Sequence, residues 1–83
     1  MRTAQIIYNP AAGRFPVAMA IPSAEHALRD AGWEVSSAST RSGEDGTYLA
    51  KKAAEKGIDA VFAVGGDGTI GQVASGLIGT KTA

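Results

Sequence analysis

The sequence predicts an α/β domain, a three-layer fold with helices on both faces of a parallel sheet of strand order 2-1-3. Three observations lead there. Ala4–Tyr8 and Ala60–Val64 are short, largely apolar runs of strand length, and unbroken hydrophobicity is the mark of parallel strands. Apolar residues between and after these runs recur at helical spacing. Glycines punctuate the changes of pattern, and alternation of strand and helix means a parallel sheet.

The first strand, Ala4–Tyr8, leads into the loop Asn9–Arg14 (NPAAGR). Asn-Pro keeps residue 9 out of the helical region, and Gly13 allows close backbone approach. A helix follows from about Pro16 to Ala31, with Val17, Ile21, Ala24, Leu28 and Ala31 on one face. Pro16 suits a first turn. Pro22 removes a helical hydrogen bond and crowds the preceding turn, which predicts a kink there or a helix start near Ser23. Gly32 ends the helix. Trp33–Thr40 is a polar strand suited to a sheet edge, and Arg41–Gly43 form a turn.

The second helix spans about Glu44 to Lys56, with Leu49, Ala50, Ala53 and Ala54 inward and Lys51, Lys52, Glu55 and Lys56 outward. Gly57 ends it. Ala60–Val64 reads as a strand covered on both faces. Gly65-Gly66-Asp67-Gly68-Thr69 follows at once, then a last helix from about Thr69 to Leu77. Gly79 loosens what is left.

Right-handed crossovers and an outer polar strand give the order 2-1-3, with the first two helices on opposite faces. The loops after the first and third strands then lie side by side, where α/β sheets bind ligands.

Composition narrows the classes. Eight basic residues balance eight acidic ones, against a module that grips nucleic acid by charge. The absence of cysteine excludes disulfides and thiolate metal sites, and a single histidine argues against a His-rich one. No apolar run reaches the ~20 residues of a membrane span. The start MRTAQIIYNP does not read as a secretory signal. Hydrophobic content of 45% is that of a globular chain. The 83 residues make at most one domain, and one marginal for independent folding. Its 11 glycines are about 13% of the chain, against a usual ~7%.

At residues 65–69 a buried strand ends, glycines let the chain turn, and a helix begins. Unpaired amides and the helix dipole at such a start favour an anion, naturally a phosphate. Thr69 can cap the helix or donate to a phosphate oxygen. The Asp67 carboxylate repels a phosphate unless Mg²⁺ lies between or it accepts a hydroxyl proton or hydrogen bond. The plain alternative is a tight turn with Asp67 as helix cap. Gly66, Gly68 and Gly71 also spell G-x-G-x-x-G, but after the third strand rather than the first, where a dinucleotide fingerprint belongs.

Asn9-Pro10-Ala11-Ala12-Gly13 resembles the NPxxG loop of the diacylglycerol kinase catalytic domain, shared by sphingosine, ceramide and bacterial lipid kinases. Gly65-Gly66-Asp67-Gly68-Thr69 with Val73 and Gly76-Leu77 resembles that family's GGDGTxxEVxxGL. Thr40 stands where the family has a threonine closing the second strand. The resemblance covers essentially the whole chain.

What the resemblance implies is a Rossmann-like nucleotide-binding domain, like that of NAD kinase and diacylglycerol kinase, of an ATP-dependent lipid kinase. Residues 1–83 would be the N-terminal ATP-binding part, without the β domain that carries the lipid pocket, and inactive alone. By position, Asn9, Pro10, Ala11, Ala12 and Gly13 would line the nucleotide and Thr40 would touch it. Gly65, Gly66, Asp67, Gly68 and Thr69 would cradle the phosphates, with Asp67 as the catalytic residue. Gln72, at the place of the family Glu, would also face the nucleotide without the charge, and Ser75 replaces a frequent Asn. The implied partners are ATP, Mg²⁺ and a lipid acceptor such as diacylglycerol. A cytoplasmic location with peripheral contact at the inner membrane face, and a homodimer, are compatible with it. The alternatives are an NAD kinase-like enzyme, which shares GGDGT but lacks NPxxG, and a non-catalytic nucleotide-binding module.

Other residues read plainly. His26 points off the apolar stripe toward solvent. Lys51, Lys52 and Lys56 form a solvated helix face or meet anionic headgroups. Arg14 is solvated or reaches a phosphate. Trp33 packs at the start of the edge strand, and Tyr8 packs in the core or stacks on a base.

Overall fold

A computed structural model describes residues 2–10, 17–41 and 45–83, with Asp67 by its backbone alone. The element order is β1 (Thr3–Tyr8), α1 (Val17–Asp30), β2 (Glu34–Ser39), α2 (Asp45–Glu55), β3 (Ala60–Val64) and α3 (Asp67–Leu77). The strands form one parallel sheet of order β2-β1-β3. This is the α/β fold and strand order that the pattern predicts.

β1 is the centre because it is the strand that can be buried on both sides. Ile6 lies between Ser37 and Phe62, and Ile7 between Ala38 and Ala63. Ile6 and Ile7 are the largest fully buried side chains, each contributing roughly 1.5–3 kcal/mol by burial. They point to opposite faces. Ile6 meets Val17 and Ile21 of α1, flanked by Tyr8, Ala24, Leu28, Val35 and Val64. Ile7 meets Ala50 of α2 and Val73 of α3, flanked by Leu49, Val61, Ala63 and Leu77. Tyr8 thus packs with the core. One helix covers one face and two cover the other, which makes three layers.

Two boundaries and the burial of one strand differ from expectation, and the alternative start near Ser23 is not used. α1 runs unbroken through Pro22. Pro22 and Ala18, whose carbonyl the proline leaves unpaired, both lie on the solvent side, where water can satisfy it. Val17 and Ile21, buried on Ile6, hold the turn before the proline. β2 is confined to Glu34–Ser39, so Trp33 and Thr40 flank it. α3 begins at Asp67, two residues early. β3 is only half-buried and Phe62 is 40% exposed, because α1 lies over β1 and β2. The outer edge of β3 is met by the chain's last residues. The Val61 amide donates to the Ala83 carbonyl at 2.8 Å, and the Ala83 amide to the Asp59 carbonyl at 3.1 Å.

α1 and α2 stop by one device. Gly32 and Gly57 have φ of 94° and 77°, open to glycine at no steric cost. Trp33 then donates to Leu28 and Gly32 to Arg29, and Ile58 to Ala53 and Gly57 to Ala54. These paired bonds close the last carbonyls of each helix. At the same end of the sheet Arg2 lies 4.2 Å over the Trp33 ring, which meets Phe62 edge-on with centroids 6.1 Å apart. Trp33 packs at the edge strand as expected. His26 is exposed and pairs with Asp30 at 3.2 Å, and Lys51, Lys52 and Lys56 are exposed.

Candidate functional site

In a parallel sheet all strands end on one edge, and here the loops after β2, β1 and β3 follow one another along it. The Thr40 amide donates to the Tyr8 carbonyl at 2.8 Å, and the Asn9 amide to the Val64 carbonyl at 3.0 Å. These bonds extend the ladders past the strands, so Thr40, Asn9 and Gly65 sit in a row. Thr40 and Thr69 are buried at 7% exposure, while Pro10, Gly66 and Gly68 are exposed. The edge thus has a sealed floor and an open rim.

β3 passes into α3 through a bend of two residues, Gly65 and Gly66. Gly66 is the N-cap of α3, in extended conformation and with no side-chain cap. Thr69 is therefore not the cap, and neither is Asp67, the first helical residue. The helix starts early because the glycines let it begin at the strand's end, which places Thr69 in the first turn. The first bond to a preceding carbonyl is Ile70 to Gly66 at 3.2 Å. The amides before Ile70 have no partner inside the helix.

The glycines divide by function. A Cβ on Gly65 would lie 2.9 Å from Thr69 Oγ1 and 3.0 Å from Thr69 Cβ, so packing requires glycine there. A Cβ on Gly66 or Gly68 would meet nothing within 4 Å, and neither has a positive φ. Nothing in the described chain requires glycine at these two places. They keep the amino end of α3 bare on its open side, where an anion can come up to the backbone.

Gln72 lies one turn further along α3, half-buried. Its carbonyl accepts the Thr47 hydroxyl at 2.8 Å, and its side chain rests on Gly46 in the first turn of α2. Ala11, Ala12, Gly13 and Arg14 lie outside the described residues, as does the Asp67 side chain. Among the described residues, no group of three or more His, Cys, Asp or Glu could hold a metal ion. A cavity of about 690 Å³ opens at the opposite end of α2, between Lys51–Asp59 and Gly79–Thr82, and touches none of these residues. Among the described residues no helix is long and apolar enough to cross a membrane.

The family model of the diacylglycerol kinase catalytic domain matches residues 3–83. This chain belongs to the diacylglycerol kinase catalytic domain family. The diacylglycerol kinase of Bacillus subtilis (strain 168) is 40% identical over 77 residues, which are 93% of this chain and 25% of that protein. The diacylglycerol kinase of Staphylococcus epidermidis RP62A is 38% identical over 76 residues, 92% of this chain and 24% of that one. A crystal structure from Bacillus anthracis, provisionally assigned as a diacylglycerol kinase, superposes with a TM-score of 0.76 at 26% identity. It matches over 92% of this chain and 26% of its own. The chain thus spans about a quarter of the length of the relatives it matches. Its place among the diacylglycerol kinases makes it part of a lipid kinase family, and the three-stranded core is the fold its structural relatives share.

Proposed function

We propose that residues 1–83 form the ATP-binding α/β part of a lipid kinase, which transfers the γ-phosphoryl group of ATP to a lipid hydroxyl. The observation that carries this reading is the bare amino end of α3. Among the described residues, neither packing nor backbone conformation demands glycine at 66 or 68, at a helix start whose N-cap, Gly66, brings no side chain. A phosphate chain needs such an approach.

In this reading the amides of Gly66, Gly68 and Thr69 hold phosphate oxygens, and Gly65 sets the turn that aims them. Asn9, Pro10, Ala11, Ala12 and Gly13 line the nucleotide, and Thr40 closes the row from β2. Asp67 is the chain's own carboxylate at the transfer site. Mg²⁺, bound by the phosphates and Asp67, would neutralise charge as it develops. The protein's part is positioning and electrostatics, the usual division in phosphoryl transfer. The acceptor is diacylglycerol or a similar lipid, met at the cytoplasmic membrane face by parts of the protein beyond these residues.

The experiment is a lipid-panel phosphorylation assay on the full-length protein with ATP and Mg²⁺. Label in a diacylglycerol-class lipid is expected. Binding of ATP without a phosphorylated lipid would leave a nucleotide-binding module, and phosphorylation of NAD in place of lipid would make the enzyme an NAD kinase.

A further inference from the structure

β2 and β3 are not neighbours. β1 separates them, so the Thr40 loop and the amino end of α3 stand roughly 10 Å apart, two strand spacings. If both grip one nucleotide, something must fix that spacing. The first turn of α2 touches both. On one side, Asp45 Oδ2 accepts the Arg41 amide at 2.7 Å, next to Thr40. On the other, Thr47 Oγ1 donates to the Gln72 carbonyl at 2.8 Å. Between them lies Gly46. A Cβ there would stand 2.9 Å from Gln72 Oε1, 3.0 Å from Gln72 Cβ and 3.6 Å from the Thr69 carbonyl. The Gln72 side chain therefore lies on the bare Cα of Gly46. A turn lower Gly76 repeats the contact in reverse, 2.5 Å from the Thr47 carbonyl by the same measure.

We propose that Gly46 is a positioning residue. With Gln72 it sets the spacing between the Thr40 loop and the amino end of α3, and so shapes the nucleotide site without touching the nucleotide. The inference rests on reading this edge as an ATP site. A methyl group at 46 pushes Gln72, and with it the first turns of α3, away from β2. The nucleotide then loses one of its two grips, while the lipid acceptor, held elsewhere, keeps its own.

The test is steady-state kinetics of the full-length kinase with Gly46→Ala. The expected result is an ATP KM at least five-fold higher, with the lipid KM within two-fold of the parent. A merely structural role would lower the active fraction, and hence kcat, without moving the ATP KM. The same substitution is then made in a Gln72→Gly background, where the colliding atoms are gone. Whatever Gln72→Gly does alone, adding Gly46→Ala to it is expected to change the ATP KM less than two-fold. Thr47→Val, which cuts the hydrogen bond to the Gln72 carbonyl, is expected to raise the ATP KM alone, and it decides the matter should Gly46→Ala not fold. An unchanged ATP KM in Gly46→Ala overturns the inference, as does a penalty that persists in the Gln72→Gly background. A parent protein that does not bind ATP overturns the proposed function instead.

Discussion

Gly65 lies under the side chain of Thr69, so close that a single added carbon would stand 2.9 Å from the Thr69 hydroxyl oxygen. The turn out of β3 and the first turn of α3 are thereby one packed unit. Gly65→Ala is expected to destabilise the chain by about 1–3 kcal/mol, the usual cost of overpacking. Urea denaturation followed by circular dichroism measures it. Thr69→Ala removes two of the three colliding atoms, so the double variant should recover part of the loss. A Gly65→Ala chain as stable as the parent would mean that the contact is not tight.

Gly68 should behave in the opposite way. It lies in a helix, and a Cβ there meets nothing within 4 Å. Gly68→Ala should therefore stabilise the fold by about 0.5–1 kcal/mol, through helix propensity and a less flexible unfolded chain. The same methyl group stands where we place the phosphates, so ATP affinity of the full-length protein should fall at least ten-fold. Isothermal titration and denaturation together read both signs. A Gly68→Ala protein that binds ATP as before would remove the phosphates from this helix end.

Asp67→Asn keeps size and loses charge. Turnover of the full-length kinase should fall at least a hundred-fold, about 2.7 kcal/mol of barrier, with the circular dichroism spectrum and the urea midpoint unchanged. Unchanged turnover would end the role assigned to this carboxylate.

Gly76 tests the packing of α2 on α3. Its hypothetical Cβ lies 2.5 Å from the Thr47 carbonyl oxygen and 2.7 Å from Ala50 Cβ. A backbone atom cannot turn aside as a flexible side chain can. Gly76→Ala gains about 1 kcal/mol of helix propensity and must still separate two helices, so a net loss of about 2 kcal/mol is expected. Denaturant titration would show it as a lower midpoint.

At the far end of the sheet, Asp59 ties β3 to the start of β1. Its carboxylate accepts the Thr3 amide at 2.7 Å and the Thr3 hydroxyl at 3.3 Å. Asp59→Ala should cost about 1 kcal/mol and leave the ATP KM alone, since the ligand edge is at the other end of the strands. A changed KM would mean that the two ends communicate.

The strand order was legible because polarity differs so sharply between AQIIY and EVSSAS. One can be buried on both faces and the other cannot, and handedness then leaves little choice. The juxtaposition of Asn9 and Gly65 followed from that order alone. Pro22 left a start near Ser23 open because propensity is local, whereas Val17 and Ile21 anchor the turn before it from across the core. The start of α3 was placed late because Thr69 looks like a cap, although its side chain is spent on Gly65. The pattern also put β3 inside, because an apolar run does not say how far a covering helix reaches. Gly46 and Gly76 were missed altogether as packing residues. The available signal was two glycines within helical stretches, which weaken a helix unless something lies against them.

The sequence holds a single tryptophan, and its setting between Arg2 and Phe62 has an experimental use. Trp33 precedes β2, whereas the ligand edge lies beyond the other end, some 20 Å away at about 3.3 Å per residue. The chain therefore carries one tryptophan fluorophore, which senses whether β3 has docked beside β1 because its ring partner Phe62 belongs to β3. Its emission should report assembly of the sheet while staying nearly silent to nucleotide, so folding and occupancy can be followed in one cuvette without a label.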